Sequence, residues 1–82
     1  MITPAQCRAA RALLEWSQAE LARRAQVGVV TVHQLESRIS EPRPATLDVI
    51  RRALEAAGVV FIDENGGGPG VRLRKRERKR KA

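Results

Sequence analysis

Polar and apolar positions along this chain repeat with the period of a helix four times, then change to the period of a strand. Thr3-Pro4-Ala5-Gln6 reads as a helix start, in which Thr3 caps, Pro4 suits the first helical position and Gln6 closes a capping box. Cys7, Ala10, Leu13 and Leu14 then recur at helical spacing. A second start follows at Ser17-Gln18-Ala19-Glu20, with Ser17 and Glu20 as the box and Trp16 placed to staple against Leu21. This helix runs to about Ala25 and offers Ala19, Leu21, Ala22 and Ala25 for packing. A third begins near Val29 behind Gly28, a weaker cap than serine, with Val32 and Leu35 turned inward. Pro42 and Pro44 punctuate the loop "SEPRP". From about Ala45, the series Leu47, Ile50, Ala53, Leu54 and Ala57 marks a fourth amphipathic helix, ended by Gly58 as its C-cap.

After Gly58 the period changes. "VVFID" is β-branched and apolar, "ENGGGPG" is turn-forming and "VRLR" alternates apolar with basic, so a β-hairpin with its loop around Asn65-Gly66 is expected. A hairpin alone is marginal in water and must pack on the helices or pair with another copy. The triple glycine lacks the Lys-Ser/Thr and the helix that a phosphate loop requires.

Composition narrows the picture. The chain has 82 residues, room for one modest core, and 43% of them are apolar. Trp16 and Phe61 are the only aromatics, so the core is built from Leu, Val, Ile and Ala. Trp16 reads as structural rather than base-stacking. A single Cys, Cys7, excludes an intrachain disulfide and a Cys-rich metal site and reads as a small core residue. No run approaches the ~20 apolar residues of a membrane span, so a cytoplasmic protein is expected. One His, no Tyr and no tuned pair of acids argue against an enzyme, and no catalytic residue, metal or cofactor is assigned. His33 has no second ligand at helical spacing and reads as solvated or phosphate-facing. Arg8, Arg11, Arg23 and Arg24 read as solvating the outer faces.

The net charge of +7 is unevenly placed. Residues 1–58 carry eight Arg against six acids, whereas residues 59–82 carry eight basic residues against three acids. Most of the excess therefore lies in "RLRKRERKRKA", a run suited to a polyanion because each phosphate neutralised releases counterions.

Two helices too short to stand alone, joined by "AQVG", need helices 1 and 4 to cover their apolar faces. The third helix is then left with one exposed side, where Val29, Val30, Thr31, His33 and Gln34 spread over its start. A helix presented in this way fits the DNA major groove. The stretch "SQAELARRAQVGVVTVHQLES", between "RAARALLEW" and "EPRPATLDVIRRALEAAGV", resembles the Cro/C1-type helix-turn-helix family of phage repressors and Xre-like bacterial regulators. The resemblance covers roughly residues 5–58. It implies a four-helix lambda-repressor-like helix-turn-helix domain over 1–58; with the pattern that follows, the expected fold is mainly α, with a C-terminal β-hairpin over 59–74 as a possible dimerisation element and a disordered basic tail over 75–82.

By the same resemblance, Val29, Val30, Thr31 and Gln34 face bases, Gln34 pairing with adenine and the valines and Thr31 methyl meeting thymine methyls. Ser17, Gln18, Arg38 and Arg43 contact phosphates. Glu20 and Glu36 are framework, one a cap and the other a partner for an Arg. The tail residues Arg72, Arg74, Lys75 and Arg76 add phosphate contacts. Family members usually bind as dimers, and Val59, Val60, Phe61 and Ile62 are the expected dimerisation element of a homodimer on double-stranded DNA. Against the family pattern, Gln26 and Arg38 stand where Gly is common, Gly28 replaces Ser or Thr, and Ile39, Ser40 and Glu41 occupy a loop often basic or small and polar in relatives. The expected function is a sequence-specific transcriptional regulator, most simply a repressor. An antitoxin that also binds a toxin is a variant within that class. The alternative from another class is a protein–protein interaction module on the same scaffold.

Overall fold

The computed structural model describes residues 2–74. Four helices, α1 (Pro4–Leu14), α2 (Gln18–Ala25), α3 (Val29–Ser37) and α4 (Pro44–Ala56), precede an antiparallel pair of strands, β1 (Val59–Ile62) and β2 (Gly70–Leu73). The expected basic tail, with Lys75 and Arg76, lies outside the described residues.

The helix starts follow their local chemistry. Thr3 and Gln6 form the full reciprocal box on α1, at 3.0 and 2.9 Å. At α2 only half of the expected box forms. Ser17 Oγ accepts from the Glu20 N–H at 3.0 Å, but the Glu20 carboxylate turns away to Arg23 and Arg24. Two guanidiniums offer a carboxylate more than one backbone N–H does. α3 begins at Gly28 with no side-chain cap, and α4 begins one residue earlier than expected, with Pro44 in its first turn. Its C-cap is Ala57, so Gly58 stands one residue beyond, at φ 112°.

The first three helices end alike. Glu15, Gln26 and Arg38 all adopt the left-handed conformation, with φ of 58°, 60° and 60°. Trp16, Val27 and Ile39 then return an N–H to a carbonyl five residues back, at 2.9–3.0 Å. This is the Schellman closure, normally assigned to glycine. Each non-glycine residue there carries ~1–2 kcal/mol of strain, offset at the first two ends by the apolar residue that follows. Trp16 and Val27 pack on the core, while Ile39 is 64% exposed.

Leu21, Val32, Ile50, Leu54, Val59 and Cys7 are wholly enclosed. Burial of each large aliphatic side chain contributes roughly 1.5–3 kcal/mol. Two expected core positions are not core. Leu13 sits at the border of the α1 stripe and is exposed, and Ala19 lies two residues from Leu21, which turns it ~200° away from the buried face. Gln6 is buried instead, and its Nε2 donates to the carbonyls of Ile62 and Gly70 at 3.2 and 2.9 Å, tying α1 to the hairpin.

The hairpin packs on α1 and α4, with Val59 opposite Leu73 and Phe61 opposite Val71. The alternation of strand faces sends Val59 and Phe61 into the core, where they are 1% and 8% exposed, and Arg51 lies 5.1 Å from the Phe61 ring centre. This bears on two of the four residues expected to form the dimerisation element. The apolar face of "VVFID" is already used within the chain, and only Val60 and Ile62 look outward, both half-buried.

Candidate nucleic-acid interface

Besides the packing of Val32 and Leu35, one buried carboxylate ties α3 to α1 and α2. Glu36, near the end of α3, has a side chain only 2% exposed. Arg11 of α1 donates to both its oxygens, Nε at 2.8 Å and Nη2 at 2.7 Å. Gln18 at the start of α2 donates from Nε2 at 3.0 Å, and the Cys7 thiol at 3.1 Å. Arg11 also reaches the Trp16 carbonyl at 2.9 Å, and Arg8 reaches the Glu36 carbonyl at 2.6 Å. Burial acts to raise the Glu36 carboxyl, but the bonds from Arg11, Gln18 and Cys7 outweigh it and hold the group below the usual carboxylate range. Burial pushes the Cys7 thiol far up, and the adjacent Glu36 carboxylate adds to this, so the thiol stays protonated as a donor.

This knot fixes α1, α2 and α3 to one another, and it leaves the opposite side of α3 uncovered. Val29 is 45% exposed, Val30 61% and His33 is also exposed, while Thr31 and Gln34 are partly covered. The Ser40 hydroxyl donates to Gln34 Oε1 at 3.3 Å, which steadies the amide from the following loop. α3 carries no Lys or Arg. Cations flank it instead: Arg38 at its end and Arg43 at the start of α4, both exposed. Ser17 is exposed at the N-terminus of α2, next to Gln18, which reaches Glu36.

A family model described as helix-turn-helix matches residues 8–57. The chain belongs to the Cro/C1-type helix-turn-helix family. It is thus a DNA-binding helix-turn-helix domain, of a family that is regulatory and not typically enzymatic. No curated protein matches the chain. In the helix-turn-helix, α2 and α3 form the motif, and the hairpin lies beyond the matched residues. No helix among the described residues is long and apolar enough to cross a membrane.

The residues singled out in the sequence fall on the helix-turn-helix unevenly. Val29, Val30, Thr31 and Gln34 come together on α3, and Arg38 and Arg43 bracket the loop behind it. Gln18 differs from expectation in part. One of its amide hydrogens is committed inward to Glu36, leaving the other and the backbone N–H for a phosphate. Arg72 and Arg74 lie on the hairpin, which packs on α1 and α4 rather than beside α3. Glu36 has its Arg partner, but the reading of Arg11 as an outer-face solvator fails, because that guanidinium is turned inward onto the buried Glu36 of α3. The signal was present: Cys7 and Arg11 stand four apart on one face of α1. Arg23 and Arg24 do face outward, held by Glu20, and Arg24 lies 4.7 Å from the Trp16 ring centre.

Proposed function

We propose that the protein is a sequence-specific transcriptional regulator that inserts α3 in the major groove and represses by occupying a promoter. The observation that carries this reading is the exposed face of Val29, Val30, Thr31 and Gln34 on a helix whose other side is fixed by Glu36. Gln34 reads adenine and the valines meet thymine methyls, each good polar pair contributing ~1–3 kcal/mol of discrimination. Ser17, Gln18, Arg38 and Arg43 hold the phosphates on either side. The described part carries little net charge, so the basic residues from Arg72 onward supply much of the sequence-independent affinity. One motif reads few base pairs, and a homodimer doubles the site. With Val59 and Phe61 buried, the surface of the hairpin left for a second copy is Val60 and Ile62.

The test is binding to DNA from the protein's own upstream region and to a scrambled duplex, over a range of salt, for the full chain and for residues 1–74. The cut is placed after Arg74 because its N–H bonds the Gly58 carbonyl at 2.6 Å and closes the hairpin. A preference for the native duplex that survives the cut supports the reading, with a salt dependence shallower by about 0.9 for each phosphate the shortened chain no longer neutralises. Equal binding to both duplexes refutes it.

One observation favours a second reading, a protein–protein interaction module or a toxin-binding antitoxin. Val29, Val30 and Ile39 are all exposed, and α3 itself carries no Lys or Arg. Under that reading, substitution of Val30 and Ile39 abolishes capture of the protein partner.

A further inference from the structure

The two strands of the hairpin differ in what they leave open. The Arg74 N–H bonds the Gly58 carbonyl, and the register pairs Val60 with Arg72 and Ile62 with Gly70. In an antiparallel ladder, hydrogen-bonded pairs alternate with non-bonded ones. Residues 60, 62, 70 and 72 therefore turn their backbone groups toward each other, and residues 59, 61, 71 and 73 turn theirs outward. On β1 that outward edge belongs to Val59 and Phe61, which are buried. On β2 it belongs to Val71 and Leu73, in a strand whose last two residues are exposed, Leu73 by 46%. Among the described residues, no hydrogen bond from another element reaches the N–H or C=O of Val71 or Leu73.

We propose that this edge of β2 takes up an extended acidic segment of a partner protein by strand addition. The proposal goes beyond the DNA-binding reading and does not rest on it. The edge offers alternating N–H and C=O groups, which a peptide strand matches and a phosphate chain does not, because phosphate only accepts and would meet the two carbonyls. The side chains choose the partner's sign. Arg72 and Arg74 project from the outer face of β2, so residues opposite them on an added strand are acidic, while those beside Val71 and Leu73 are apolar. A second copy of this chain is disfavoured at the same edge, since pairing β2 with β2 brings like charges together. A bound acidic strand also neutralises Arg72 and Arg74, withdrawing them from DNA.

The experiment uses the full chain without DNA and a blocked peptide of alternating Glu and Val, followed by amide hydrogen exchange. Saturating peptide is expected to slow exchange at Val71 and Leu73 by about tenfold or more, with no such effect from the matching Lys/Val peptide. Of two peptides N-methylated on one or the other alternate set of amides, one binds and the other does not. Leu73→Pro, which removes an outward N–H without touching the ladder, weakens binding about fivefold. Peptide binding that leaves both amides unprotected overturns the proposal, as does indifference to which set is methylated. So does protection of these amides by duplex DNA, or by raised protein concentration alone, which would assign the edge to nucleic acid or to a second copy.

Discussion

Replacing Arg11 by Met keeps most of the side-chain volume and leaves Glu36 buried without its cation. Two charge-assisted bonds, at 2.8 and 2.7 Å, disappear, together with the bond to the Trp16 carbonyl that fixes the first turn. Gln18 and Cys7 remain as neutral donors. Removing one member of a buried ion pair typically costs 3–5 kcal/mol. The Arg11 side chain is 20% exposed, so water partly replaces it and about 2–4 kcal/mol is expected. A chain of this length has about 4–12 kcal/mol in total, and the variant sits near the threshold of folding. The acid dependence gives a second readout. In the native protein the Glu36 carboxyl is depressed, so its contribution is present above the unfolded carboxyl pKa and fades as pH falls through the lower folded value. Without Arg11, burial dominates and the folded carboxyl rises above its unfolded value, so the variant regains stability on acidification and the gap between the two proteins narrows. Urea unfolding followed by Trp16 fluorescence, at neutral pH and near pH 4, measures both. A loss below about 1 kcal/mol at neutral pH, or a gap that stays constant on acidification, refutes the reasoning.

Further outcomes follow from the same geometry. Gln34→Ala lowers discrimination at one base pair by ~1–3 kcal/mol and leaves the salt dependence of DNA binding unchanged, as measured by titration against single-base operator variants. Gln26→Gly relieves left-handed strain and raises stability by up to ~1 kcal/mol after the added freedom of the unfolded chain is subtracted, readable as a shift of the urea midpoint. Cys7, fully buried with its thiol pushed up, reacts with a dilute thiol reagent only through the unfolded population, so Arg11→Met accelerates labelling in step with its loss of stability.

Local chemistry along the chain determined most of the fold. Capping residues, prolines and apolar spacing placed four helices within a residue or so, and the change of period after Gly58 placed the hairpin. The exposed face of α3 followed as well, because Val32 and Leu35 fix the helix phase and leave Val29, Val30 and Gln34 outside. What only the tertiary structure decided are choices between local options and partners far apart in sequence. The Glu20 carboxylate had both a backbone N–H and two guanidiniums in reach, and the cations won. Arg11 and Glu36 are 25 residues apart, and no periodicity records that the α1 and α3 faces bearing them meet around a site closed to water. Val59 and Phe61 were legible as apolar strand residues, but whether that face covers the chain's own helices or a second copy depends on the space that α1 and α4 leave. Residue pattern sets what each segment can bury, and the packing of the whole chain sets what it buries against.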